Sequence, residues 1–254
     1  MEDMRQAFAK IKPKSGYSHF VHIALTLLLP ALLFVIVRLG FYQLELGLAL
    51  ILLSKWRIFA VKPRHWPANL RVNAVDIIVG LSSLVFMVQS SSQLVQLFWA
   101  VIYGIWLLYI KPMSNVQGSS IQSLVGMSFG FVALFAALGG SSLYILVILS
   151  WILAYMTSRH FLISFEEPLI KYLSYTWAYF CAALVWVLGH WLLFYGPIAQ
   201  PALLISVLGF GFSGIYYLHK SDKSSVILRR QIIFVVFAIL VIIITFSDWG
   251  DKAI

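Results

Sequence analysis

Asn69, Asn73, Asp76, Gly80 and Ser83 recur at intervals of four, three, four and three residues. That spacing puts side chains on one face of an α-helix. Apart from Arg71 and Ser82 the residues between them are apolar, so the segment reads as a membrane span carrying a polar stripe. A carboxylate in such a setting is costly, and it implies a partner, a water-filled pocket or a function. The chemistry expected of Asp76 is proton or cation binding, with Asn73 as a neutral ligand. With Asn69 as the N-cap after Trp66-Pro67-Ala68 and the span running over 72–90, Asp76 should sit roughly 7 Å inside it, at about 1.5 Å rise per residue. The competing reading is structural. It makes Asp76 an interfacial carboxylate paired with Arg71, Arg64 or Lys111 and favoured by the positive end of the helix dipole.

Three other groups invite a chemical reading. Tyr172, Tyr175, Tyr179, Trp186 and His190 share a helical face. They suit either a cavity with aromatic walls and one titratable group or a packed face with interfacial aromatics. Asp76 and His190 belong to opposite surfaces, which argues against an acid–base dyad. Arg38 and Glu45 flank the first outer turn and are expected to pair. Arg159-His160 and Glu166-Glu167-Pro168 share an inner connector, but their spacing is unlike a helical zinc motif. Ser164-x-x-Glu167 fits a capping box opening the next span, and Arg159 with Lys171 suits lipid phosphate. No metal or cofactor is expected.

Two glycine motifs carry less. Gly126-Met-Ser128-Phe-Gly130 matches a hydrolase elbow in letters, but that elbow needs a strand before it. In an apolar helix the glycines more simply allow close helix approach. Gly209-Phe-Gly211-Phe-Ser-Gly214 is read the same way. Cys181, the single cysteine, excludes an internal disulfide and a multi-cysteine metal site.

The elements that must position these residues follow from composition. Of 254 residues, 61% are hydrophobic and 11% charged, against roughly 25% charged in soluble chains. Apolar segments run over 19–39, 41–58, 72–90, 93–110, 119–138, 142–160, 169–195, 202–218 and 230–247. The second is the weakest, and eight spans would remain if it were re-entrant. With nine spans and a cytoplasmic N-terminus, every basic residue except Arg38 and Lys252 falls inside. The expected fold is therefore an all-α polytopic membrane protein of about nine spans, with its C-terminus outside. Residues 1–18 form a short basic segment, 19–247 a single transmembrane domain and 248–254 a short external tail. The first apolar run is too long for a signal peptide and lacks a cleavage site, so it is expected to stay.

A net charge of +9 is explained by the inner loops rather than by nucleic acid. Expected partners are the bilayer, anionic lipid headgroups at the inner loops and other membrane proteins. Compact loops suit a bacterial cytoplasmic membrane. Three functions compete: a small-molecule or ion permease using the stripe around Asp76, a non-enzymatic scaffold or assembly subunit, and a membrane enzyme acting on lipid-linked substrates.

Overall fold

The computed structural model describes residues 17–40, 42–191, 194–222 and 225–248. Of the expected basic segment 1–18 only Tyr17 and Ser18 are described, and they already belong to the first helix; all but the first residue of the C-terminal tail lies outside. The chain is 83% helical. Its nine described α-helices are α1 Tyr17–Leu39, α2 Gln43–Ser54, α3 Trp66–Gln89, α4 Gln93–Ile105, α5 Val116–Leu138, α6 Leu143–Ile163, α7 Ile170–Gly189, α8 Gln200–Lys220 and α9 Val226–Phe246. Helix α4 continues as a π-helical stretch, Trp106–Ile110. A two-residue hairpin, Phe194–Tyr195 with Ile198–Ala199, joins α7 to α8. All the helices except α2 are long and apolar enough to cross a membrane, so this is a polytopic helical membrane protein.

Local sequence explains where helices begin and end. Gly40 adopts φ 77° and stops α1, a left-handed conformation that glycine takes without steric cost. Pro67 lies in the first turn of α3, where a missing N–H costs nothing. Asn115 Oδ1 and Ser225 Oγ accept hydrogen bonds from the N–H groups of Gly118 and Leu228, capping α5 and α9. Within the spans, Ser82, Ser83, Thr157, Ser158 and Ser206 each donate to a carbonyl four residues back, which satisfies the hydroxyl without a partner helix.

Buried residues form two clusters. One is drawn from α1 to α4 and includes Leu33, Ile51, Val79, Leu84 and Tyr103. The other is drawn from α5 to α8 and includes Phe131, Leu153, Ala154, Cys181 and Ile205. They meet where α5 crosses α3. A Cβ on Gly126 would come within 2.8 Å of Val75, and one on Gly130 within 2.8 Å of Ile78 and 2.7 Å of Leu153. The GxSxG letters therefore mark a close helix crossing. Helix α9 is peripheral and largely exposed, lying along α8, where Val236 meets Gly211.

The second segment differs from a full helical crossing. Gly47 lies against Leu84, Ile51 against Gly80 and Lys55 against Asp76. Each four-residue step along α2 matches four residues back along α3, so the two run antiparallel. One more step places Gln43 beside Val88, near the C-terminal end of α3. Helix α2 thus starts level with its neighbours but spans only about 18 Å, against about 36 Å for α3. Two short 3-10 turns, Trp56–Ile58 and Pro63–His65, complete the return. The expected helix over 41–58 is therefore corrected to a half-helix that ends at the depth of Asp76.

Sidedness is clear from contacts. Lys55 and Lys111 line a cleft with His22 of α1, Arg71 lines another with Arg159, and Lys220 pairs with Glu167 between α6 and α7. These helix ends form one basic end. Among the described residues, Arg38 is the sole lysine or arginine at the opposite end.

Candidate functional site

Asp76 is the centre of a buried charge cluster. Its helix begins at Trp66, not near 72, so Asp76 lies ten residues, or about 15 Å, from the helix start. Asn69 is not the N-cap: it sits in the first turn, and its carbonyl accepts a hydrogen bond from Asn73 Nδ2 at 3.0 Å. Asp76 Oδ1 accepts from Trp106 Nε1 at 2.9 Å. Its Oδ2 meets Lys111 Nζ at 2.7 Å and also Lys55 Nζ. The Lys55 and Asp76 side chains are 9% and 10% exposed, whereas Lys111 is 42% exposed. With both lysines protonated, this cluster carries a net charge of +1.

Each cation arrives through a break in regular helix. Lys55 is the residue at which α2 ends, its N–H bonding back to Leu52 and Leu53. Lys111 follows the π-helical stretch, where its N–H donates to the Trp106 carbonyl five residues back at 2.8 Å. The wider turn presents Trp106 and Lys111 to the same carboxylate. Such π-turns cluster at functional positions.

Gln122 of α5 steadies that end of α4. Its Nε2 donates to the carbonyls of Ile110, Lys111 and Met113 at 2.8, 3.2 and 2.9 Å. These bonds assign the amide orientation, so Oε1 faces His160 Nε2 at 2.9 Å. Oε1 can only accept, which places the His160 proton on Nε2. His160 thereby joins the same small pocket as Asp76, Trp106 and Lys111, of about 170 Å³.

A larger cleft of about 730 Å³ opens between α1, α2 and α3 and ends at Lys55 and Lys111, with Asn69, Asn73 and Thr26 on its walls. Beyond Asp76 the stripe is closed. A Cβ on Gly80 would lie 2.8 Å from Tyr103 Oη and 3.5 Å from Ile51. Ser83 is fully buried and bonds to the Val79 carbonyl at 2.8 Å. The Tyr103 hydroxyl is buried without a hydrogen-bond partner among the described residues.

The remaining candidates are dispersed. His190 ends α7 at the opposite end, its Nδ1 2.7 Å from the Trp186 carbonyl. Tyr172 and Tyr179 are 73% and 65% exposed, so their face points outward and encloses no cavity. Tyr175 stacks on Trp151 and Tyr155. Arg159 donates Nη1 to the Tyr155 hydroxyl at 3.1 Å. Glu166 occupies a tight turn with φ 52°. Glu167 accepts from Lys220 at 2.8 Å and from the Tyr216 hydroxyl. The expected capping box is absent: Ser164 instead closes α6 by donating to the Phe161 carbonyl, and α7 opens at Ile170.

The expected Arg38–Glu45 pair is also not formed; the ion pairs among the described residues are Lys55–Asp76, Lys111–Asp76 and Lys220–Glu167. No group of three or more His, Cys, Asp or Glu side chains there could hold a metal. Of the partners expected for Asp76, Lys111 is present, whereas Arg71 bonds to the Pro67 carbonyl and Arg64 to His65. Lys55, Trp106, Tyr103 and Gln122 were not singled out by spacing. The one available signal was that Lys111 directly follows an apolar run and Lys55 follows one after a single serine. No protein-family model, curated protein or solved structure matches the chain.

Proposed function

We propose that this chain is a permease for a small anionic solute, which reaches the Lys55–Asp76–Lys111 cluster from the basic end. The observation that carries this reading is the excess positive charge at the bottom of a polar cleft. In this reading Asp76 is not the coupling carboxylate. It holds two lysines charged and oriented, and an incoming anion takes the unsatisfied positive charge. A helix that stops inside the membrane is a recurring way to line a transport pathway. In this reading, closure by Ile51 and Tyr103 corresponds to the state open to the basic end, and the excess of basic residues supports a cytoplasmic placement of that end.

The test is flux. Proteoliposomes loaded with labelled acetate, phosphate or sulfate should release at least one of these anions faster than protein-free vesicles. Lys55→Met and Lys111→Met should each abolish that release. Release equal to that of empty vesicles across the panel would contradict the proposal and favour a scaffold, which should instead co-purify with a partner protein.

A further inference from the structure

A second cleft, of about 470 Å³, lies on the other side of α3 from the cavity of α1 and α2. Arg71 of α3 and Arg159 of α6 both line it, with Ser114 and Ser119 at the start of α5. Arg71 uses Nε on the Pro67 carbonyl, and Arg159 uses one Nη1 contact on Tyr155. Neither forms an ion pair among the described residues, and no carboxylate lines the cleft. Two guanidinium groups with spare donors are thus brought together by two different helices, with hydroxyls beside them. Guanidinium forks match the tetrahedral oxygens of phosphate bidentately. The first turn of α5 adds the positive end of a helix dipole.

Val72, next to Arg71, and Ile163, one turn after Arg159, form an apolar wall beside the arginines and are both well exposed. We infer that this cleft binds a phosphate group, with the apolar wall accommodating the chain of a lipid that carries it. His160 and Val72 also border the Asp76 pocket, but the two arginines form no ion pair with the Asp76 cluster, so binding here is tested separately from the permease reading.

The experiment uses the full chain in detergent, with native mass spectrometry as the readout. Dioctanoyl phosphatidic acid should be retained and dioctanoylglycerol, which lacks phosphate, should not. Arg71→Gln or Arg159→Gln should each weaken retention about tenfold, and the double variant should abolish it. The double Arg→Lys variant should recover part of it, which also covers the case in which the glutamine variants fold poorly. Lys171, which the sequence paired with Arg159, does not line the cleft, so Lys171→Gln should change nothing. Competition by inorganic phosphate separates the sources: displacement assigns the site to free phosphate or its esters, and no displacement assigns it to lipid. Equal retention of dioctanoylglycerol, or undiminished retention by a folded double glutamine variant, would overturn the inference.

Discussion

Two carboxylates in this molecule are held by the same kinds of donor but to different ends. Asp76 takes an indole N–H and two ammonium groups inside the bundle, while Glu167 takes a phenol and one ammonium group on a connector at the basic end. The Glu167 pair is neutral and ties α8 to the turn before α7, a local fastening. The Asp76 cluster has a charge left over, is fed by two interrupted helices and ends a cleft. The contrast shows that an aromatic donor and a lysine do not by themselves define a site. Uncompensated charge at depth, with access, is what the permease proposal rests on.

The largest effect that breaks this contrast is expected from Asp76→Ala. It strands two ammonium groups, one of them buried, and should destabilise the protein by about 3–5 kcal/mol, as removal of one partner of a buried ion pair does. Thermal unfolding in detergent would measure it. Next is Gly130→Leu, whose side chain meets Leu153 and Ile78 at the crossing of α3, α5 and α6. Overpacking there should cost about 1–3 kcal/mol by the same assay.

The two lysines should then separate. Lys55→Met removes a buried cation and its hydrogen bond, at about 1–3 kcal/mol. Lys111→Met removes a more exposed one and should cost about 1 kcal/mol or less. Equal costs would mean that the two lysines share the buried environment. The smallest effect belongs to Glu167. Hydrogen bonds from Lys220 and Tyr216 hold its carboxyl below the ordinary glutamate range. Its contribution to stability is therefore present above the ordinary pKa and is lost as pH falls through the lowered value. Glu167→Gln should flatten the acid side of the unfolding midpoint, measured from neutral pH down to about pH 3, with a small loss at neutral pH that disappears at the acid end.

Much of the fold was legible because span formation depends on apolar length and loop charge, which are one-dimensional properties. Nine helices are present, eight of them long and apolar enough to cross a membrane, and the basic residues among those described gather at one end apart from Arg38. Asp76 was legible as a costly group in an apolar run. Its main partner was not, because Lys55 reaches it only through the early end of α2 and the antiparallel register of α2 on α3. The π-helical stretch that aims Trp106 and Lys111 also has no periodic signature in apolar residues. The Ser164-x-x-Glu167 reading failed for a related reason: tertiary donors on α8 claimed Glu167, and α6 ran on to use Ser164. The Tyr172–His190 face was correctly aligned, but periodicity cannot distinguish a face turned to lipid from one turned to a cavity.

The claim that a cleft from the basic end stops at the Asp76 cluster is tested most directly by thiol accessibility. In a Cys181→Ala background, single cysteines at Ser54, Asn73 and Ser83 would be exposed to a membrane-impermeant maleimide from each side. Positions 54 and 73 should react from the basic end alone, and position 83 from neither. Reaction at 83, or protection of 54 and 73 from both sides, would contradict it.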